Sequence, residues 1–265
     1  MRAYQLSALA LVAAVLVGCG GNTKPVADLP EQQLYQQAQQ SLNNGRYSAA
    51  VTQLETLDSR YPFSKNAENV QLDLIYGYYQ VNNWDSTIAS AGRFIRLHPD
   101  NAQIDYAYYL RGLANWQAGR FGLEGLDLVS ISTRDLGATN ASYKDFNELI
   151  TRFPQSRYAP DARQRIIYLR NITAQRELEI ADFYLRKRDY VAAIERGRWV
   201  IAHYPQTPAN YDALASMIEG YMGLNMDDRA RETLAVLIHN KPDYKQLHGT
   251  TFQTRHLGRT LSLDS

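Results

Sequence analysis

The 265-residue sequence predicts an all-α protein built from repeated pairs of antiparallel helices. Three observations predict this fold class. A frame of small and aromatic residues recurs along the chain, a dipeptide ending in proline closes each copy, and no segment alternates apolar and polar residues as a strand does. The apolar share of 45% is also too high for a disordered chain.

The first copy of the frame shows why it favours a helix pair. It runs from Ala38 through Gly45 and Ala50 to Pro62. Two helices approach closely only where small residues meet, and proline cannot continue a helix. This spacing is typical of a tetratricopeptide (TPR) unit, which has two helices in about 34 residues.

Closing dipeptides recur through the rest of the chain. They are Tyr61-Pro62, His98-Pro99, Phe153-Pro154, Tyr204-Pro205 and Lys241-Pro242. We therefore predict a TPR-repeat solenoid of five helix-turn-helix units. The third unit carries an extended loop over roughly residues 119–140, which is rich in glycine and small residues.

The amino terminus has the pattern of a lipoprotein signal peptide, predicted over residues 1–18. Its apolar run at residues 6–17 is shorter than the ~20 residues that a membrane-spanning helix needs. The run ends in Leu16-Val17-Gly18-Cys19, and this cysteine is the only one in the chain. We predict that Cys19 carries an N-palmitoyl and an S-diacylglycerol lipid and begins a flexible tether at 19–30. The alternative is an ordinary signal peptide with a chance cysteine.

Gly20 follows the predicted lipid site, where an Asp would favour retention in the inner membrane. We therefore expect a lipid anchor in the outer membrane with the chain on its periplasmic side. Two acyl chains are enough for stable anchoring.

Composition and spacing argue against several chemistries. Lys and Arg number 28 against 27 Asp and Glu, a balance that does not favour a nucleic-acid partner. The histidines lack metal-ligand spacing, and the glycines at 119–125 lack the pattern and preceding strand of a phosphate loop. We predict no catalytic activity, no metal site and no cofactor beyond the lipid on Cys19.

Tyrosine is unusually frequent, with 19 Tyr against 7 Phe, and the TPR frame places many of these rings on first helices. The residues predicted to line an amino-terminal groove are Tyr35, Tyr76, Tyr79, Tyr106, Tyr109 and Trp116. Such rings offer contact area at little cost in rotamer freedom, which suits extended, aromatic-rich segments. Arg93 and Arg96 are placed to receive a carboxylate. The alternative is that Tyr-rich helices simply pack well against one another.

The fourth unit differs in charge. Residues 157–198 hold ten Arg or Lys and six Asp or Glu, a local net charge of +4. Arginine dominates, and its planar fork suits pairing with carboxylates, so an acidic protein surface is the expected partner. The alternative is an ordinary solvated face.

Five stretches together resemble the BamD family of outer-membrane protein assembly factors. They read LDSRYPFS (57–64), QLDLIYGYY (71–79), RFIRLHP (93–99), IDYAYYLRGLANW (104–116) and YAPDARQRIIYLRN (158–171). The resemblance extends from Cys19 to about Pro242. It implies a non-enzymatic TPR scaffold of the β-barrel assembly machinery (BAM complex), needed for the assembly and insertion of barrel proteins.

The resemblance also implies partners. It assigns residues 31–155 to a half that faces unfolded outer-membrane β-barrel proteins, with Tyr61 and Arg96 as contacts. It assigns residues 156–242 to a half that docks on a POTRA domain of BamA and carries other BAM lipoproteins, with Arg196 and Arg198 at the BamA contact. Residues 243–265 are predicted to be a polar tail with no family role. The alternative function is a pilotin-like periplasmic TPR lipoprotein that serves a secretin or pilus system.

Overall fold

A computed structural model describes residues 29–119 and 136–263. The predicted signal peptide, Cys19 and most of the predicted tether lie outside the described residues. The described helices are α1 (Glu31–Asn43), α2 (Tyr47–Arg60), α3 (Ala67–Gln80), α4 (Trp84–Leu97), α5 (Ile104–Ala118), α6 (Gly137–Arg152), α7 (Ala159–Arg186), α8 (Tyr190–His203), α9 (Ala209–Gly223) and α10 (Asp227–Asn240). The chain divides into two compact units, Met1–Ala67 and Glu68–Ser265.

Second helices end where the closing dipeptides predict. Helices α2, α4, α6, α8 and α10 each stop at the residue before the dipeptide. The first residue of each dipeptide has left the helical region, as at His98, where φ is −126° and ψ is 57°. The reason is steric, because a proline ring disfavours helical angles in the residue before it.

Tight turns join the helices within a pair. Gly45, Asn82, Arg188 and Asn225 have φ between 56° and 70°, the left-handed conformation that ends many helices. The residue after each donates its N–H to a carbonyl five positions back, as Arg46 does to Ser41 at 2.8 Å. The recurrence of one turn geometry confirms a fold of TPR-type helix pairs.

The third pair departs from this pattern, as predicted. No such turn follows α5 in the described residues, and most of the predicted loop, residues 120–135, lies outside them. The predicted loop is too long at its far end, because α6 already begins at Gly137.

In the first unit, Leu34 and Ala38 of α1 are buried together with Ala50, Leu54 and Leu57 of α2. In the second unit, Phe94, Tyr108 and Phe146 belong to a core cluster that α3 to α7 share. A Cβ at Gly112 would lie 2.8 Å from Cε1 of Phe146, so only glycine allows α5 and α6 to approach this closely. None of the helices in the described residues is long and apolar enough to cross a membrane.

The prediction that residues 243–265 form a polar tail is wrong for the described part of that segment. It forms an antiparallel sheet of β1 (Leu247–His248), β2 (Thr251–Gln253) and β3 (Thr260–Ser262), in the order β1-β2-β3. Tyr244, Phe252 and Leu261 are buried in a cluster with Ile218 and Leu234 of the last helix pair. The last helix pair of a repeat array presents an apolar face that needs a cover. A few apolar residues are therefore enough to hold an otherwise polar segment on that face.

Candidate binding surfaces

A stack of three tyrosine rings lies between α5 and the start of α7. Tyr158 stacks on Tyr106 at a centroid distance of 5.3 Å and on Tyr109 at 4.7 Å. The Tyr109 hydroxyl donates to Oδ2 of Asp161 at 2.9 Å. Burial and the neighbouring carboxylate raise the pKa of Tyr109 to about 12. Tyr106 and Tyr109 are half-buried, so each keeps part of its ring in contact with solvent.

Tyr76 and Tyr79 of α3 are also half-buried and pack against the core cluster, with Tyr79 meeting Trp84 edge to face at 5.3 Å. Trp116 differs from the other predicted groove residues, because only 7% of it is exposed. Its indole packs edge to face on Tyr168 and borders a cavity of about 310 Å³. Trp116 therefore fits the alternative prediction, in which the aromatic residues pack in the core, better than the prediction that it lines an open groove.

The remaining two predicted aromatic residues lie in the first unit. Tyr35 on α1 and Tyr61 after α2 are both half-buried. The Tyr61 hydroxyl donates to the Leu29 carbonyl at 3.5 Å, at the edge of hydrogen-bond range.

Arg96 is exposed in the last turn of α4. It lies near a partly buried ion pair that the sequence did not reveal, between Arg111 of α5 and Asp145 of α6. Nε and Nη2 of Arg111 donate to Oδ1 of Asp145 at 2.9 and 2.5 Å, and Asn115 donates to Oδ2 at 2.8 Å. Burial raises the pKa of Asp145, although Arg111 opposes that shift.

The two arginines predicted to bind BamA both lie on α8 and differ in their surroundings. Nη1 of Arg196 donates to Oε2 of Glu177 on α7 at 2.8 Å, and 41% of its side chain remains exposed. Arg198 pairs with Glu195 at 2.8 Å and also donates to the Tyr221 hydroxyl at 2.9 Å. The structure thus gives both arginines partners within the chain.

Trp199 is a surface residue that the repeat pattern of the sequence did not predict. It is 48% exposed on α8, and its ring stacks on His203 at 3.5 Å. Arg196 and Trp199 are three residues apart, a spacing that puts them on one helix face. An exposed tryptophan beside an arginine is the combination that dominates many protein interfaces.

The carboxy-terminal segment lies against α7 and α9. Glu219 of α9 is 2% exposed and accepts the backbone N–H groups of Arg255, His256 and Leu257 at 2.9, 2.5 and 2.9 Å. Tyr244 donates to Oδ1 of Asp212 on α9 at 2.6 Å. Burial raises the pKa of Tyr244, and its bond to the Asp212 carboxylate adds to that shift.

Asp182 of α7 is the second acidic contact of this segment. It pairs with Nη1 of Arg255 at 3.2 Å and Nε2 of His256 at 2.8 Å, and also with Arg186. Partial burial alone would raise the pKa of Asp182, but His256 and the two arginines lower it. A cavity of about 760 Å³ remains between α7, α9 and the segment.

Comparison with known proteins defines the family. A family model described as an outer membrane lipoprotein, YfiO, matches residues 27–237. The outer membrane protein assembly factor BamD of Vibrio cholerae is 38% identical, over 87% of this chain and 95% of that protein. BamD of Pasteurella multocida is 36% identical, over 88% of this chain and 89% of that protein. Among solved structures, a tetratricopeptide repeat protein from Parabacteroides merdae has a TM-score of 0.38 and 12% identity, with 79% of each chain covered.

The family model places the chain in a class of proteins described as outer membrane lipoproteins, and the helices of the described residues form repeated pairs. Within that class, the chain belongs to the BamD family of outer membrane protein assembly factors. The resemblance predicted from the sequence is therefore confirmed, and the pilotin-like alternative is not favoured.

Proposed function

We propose that this chain is a non-enzymatic scaffold subunit of the BAM complex that binds BamA and unfolded outer-membrane β-barrel proteins. The observation that carries the proposal is the family match over residues 27–237 together with 38% identity to an assembly factor along most of both chains. A lipid on Cys19 would anchor the scaffold to the outer membrane on its periplasmic side. The other lipoproteins of the complex would bind the same scaffold.

The tyrosine stack supports a substrate-binding role for the first half of the chain. Tyr106 and Tyr109 are held by their stacking on Tyr158, so they lose little freedom when a ligand covers them. Strands of membrane barrels alternate apolar and polar residues and carry aromatic residues at both membrane interfaces. Such segments offer rings that can pack on a tyrosine surface.

A peptide experiment tests this role. A soluble chain beginning at residue 20 should bind a peptide that resembles the last strand of a barrel protein. Tyr106→Ala with Tyr109→Ala should weaken binding at least tenfold, because two half-exposed rings are lost. Phe183→Ala removes a more exposed aromatic side chain, 47% exposed, from the cavity beside the carboxy-terminal segment and serves as the control. Equal affinity of parent and double variant would refute this placement.

The basic face of α8 supports docking on the POTRA domain of BamA. Arg196 keeps 41% of its side chain exposed while Glu177 holds it in place, and Trp199 offers apolar area beside it. A guanidinium held in place loses less entropy when it pairs with a second carboxylate. Arg198, which Glu195 and Tyr221 already engage, is the weaker contact of the two.

Charge reversal tests the docking face. Arg196→Glu should weaken the complex with the periplasmic part of BamA by about 2–5 kcal/mol, near the low end because Arg196 already has an internal partner. Arg46→Glu, at an exposed arginine of the first unit outside residues 156–242, is the control. A reversed charge on BamA should restore binding to Arg196→Glu. If Arg196→Glu bound BamA with unchanged affinity at moderate salt, α8 would not be part of the interface.

A further inference from the structure

One phenylalanine in the first unit is fully exposed to solvent. The side chain of Phe63 is 99% exposed, whereas Leu97, the next most exposed large apolar side chain of the described residues, is 61% exposed. Pro62 beside it is exposed as well. Because the whole ring faces water, all of its apolar area is available for burial against a partner.

A tight turn holds Phe63 in this position. The Ser64 N–H donates to the Tyr61 carbonyl at 3.1 Å, which closes a four-residue turn with Pro62 at its second position. Proline fixes one backbone angle at that position of a turn. The Ala67 N–H then donates to the Ser64 carbonyl at 3.1 Å. Since the backbone of the turn is fixed, little freedom is lost when the ring is covered.

This turn lies where the predicted tether meets α1. The Tyr61 hydroxyl donates to the Leu29 carbonyl at 3.5 Å, and the Asn66 side chain donates to Oε1 of Glu31 at 3.1 Å. Cys19 lies ten residues before Leu29, and ten residues of chain span at most about 35 Å. A lipid on Cys19 would therefore keep this end of the helix pair close to the membrane surface.

The other end of the same helix pair is polar. It is the turn between α1 and α2, where Asn44, Arg46 and Ser48 are exposed. Because α2 is 14 residues long, about 20 Å separate this end from the turn that carries Phe63. The exposed ring thus lies at the end of the pair that the lipid would hold near the membrane.

Lys65 adds a positive charge beside the ring. Its side chain is exposed and forms no ion pair with another of the described residues. Segments that lie in a membrane interface place Phe, Trp or Leu below the headgroups and Lys or Arg among them. A fully exposed phenylalanine with a lysine two residues further along has this chemistry.

We infer that the turn at residues 61–66 is a membrane contact, in which the Phe63 ring inserts below the headgroups and Lys65 meets anionic lipid. The inference rests on the proposed lipid anchor, because one ring alone binds a bilayer weakly. Once the lipid is inserted, docking of the turn is intramolecular and has a high effective concentration. Burial of the ring then favours the docked state by about ten- to hundredfold. This contact orients the first helix pair at the membrane, which a flexible tether alone does not do.

A fluorescent probe on α2 measures which end of the pair meets the membrane. Cys19 is the only cysteine and acylation would consume its thiol, so Ser59→Cys or Ser48→Cys gives the lipidated full-length chain one reactive thiol. Both serines are exposed, and eleven residues, or about three turns, put them on one helix face about 16 Å apart. In vesicles of phosphatidylethanolamine and phosphatidylglycerol, nitroxide lipids should quench a fluorophore at 59 several-fold more than one at 48.

Substitutions in the turn test the contact itself. Phe63→Ser should reduce the quenching at 59 to the level at 48, whereas Phe63→Trp should preserve it, because tryptophan also favours the interface. The unfolding temperature should not change, since the ring is fully exposed. Lys65→Gln should lower the ratio of docked to undocked chain about fivefold on anionic vesicles and leave it unchanged on phosphatidylcholine.

The outcomes separate this inference from the proposed anchor. Missing lipid mass, with a second reactive thiol, would show that Cys19 is not acylated and would overturn both. Equal quenching at 59 and 48 in an acylated chain would overturn the membrane contact and leave the anchor standing. Quenching at 59 that Phe63→Ser does not change would overturn the role of the ring. A difference that appears only after BamA is added would assign the ring to a protein partner and would also overturn the inference.

Discussion

Glu219→Gln is expected to loosen the carboxy-terminal segment locally without releasing it. In the parent, one buried carboxylate accepts three backbone N–H groups, from Arg255, His256 and Leu257. A hydrogen bond to a charged group contributes about 1.5–3 kcal/mol, against about 1 kcal/mol for a neutral one. The amide of Gln keeps one acceptor oxygen and turns an NH₂ group toward donors. We therefore expect a loss of about 2–3 kcal/mol in the free energy that holds this turn.

The apolar anchors should keep the segment in place. Phe252 is fully buried and Leu261 is 6% exposed, and each buried side chain of this size contributes about 1.5–3 kcal/mol. Hydrogen exchange measures the difference, because amides exchange through local opening. Protection of the amides of residues 255–257 should fall about 30- to 150-fold, the equivalent of 2–3 kcal/mol. Protection of the β2 amides should change much less.

Two control variants give the smallest and the largest change expected in hydrogen exchange. Glu195→Gln neutralises an exposed glutamate whose partner is Arg198, and it should alter protection by less than about 0.5 kcal/mol. Phe252→Ala should cost about 3–5 kcal/mol and raise exchange through the whole segment. Parent-like protection of residues 255–257 in Glu219→Gln would show that the buried carboxylate does not hold the turn.

Three further predictions concern other parts of the chain. Gly112→Ala should lower the free energy of unfolding by about 1–3 kcal/mol in urea titrations, since its Cβ would lie 2.8 Å from Phe146; parent-like stability would contradict the close helix contact. The lowered pKa of Asp182 means that its ionised form stabilises the fold, so the parent should lose this stability as pH falls through that pKa. Asp182→Asn should be less stable at neutral pH and approach the parent in acid; a constant difference at all pH values would exclude the ion pairs as the cause. Cys19→Ser should leave the chain without lipid mass and outside the membrane fraction, and unchanged lipid mass would refute the acylation site.

Helix ends within the repeats were readable from the sequence. A proline ring disfavours helical angles in the residue directly before it. The proline after Tyr61 or His98 is therefore enough to predict where the helix ends. The small residues at helix crossings, such as Ala38 and Ala50, likewise revealed the pairing, because burial at a crossing requires them wherever the pair lies. The family resemblance drew on the same local patterns.

The candidate sites were only partly readable. Tyr106 and Tyr109 lie half-exposed, in keeping with their predicted place on a groove, but Tyr158 completes their stack from a helix about fifty residues further along the chain. Trp116 has the same position in the repeat frame as a groove residue, yet the approach of α7 buries it against Tyr168. The repeat pattern predicts on which helix face a residue lies, whereas the exposure of that residue depends on what packs over the face.

The sequence by itself determined the helical repeat class, the ends of the second helices and the family, and the lipid site at Cys19 stays a prediction. These depend on local backbone sterics or short motifs. Only the tertiary structure decided that the carboxy-terminal segment folds onto the last helix pair, that Glu177 holds Arg196, and that Arg111 pairs with Asp145. Each of these joins charged or apolar groups from different elements. The distance between these groups in space depends on how the helices stack, and it cannot be predicted from their spacing in the sequence.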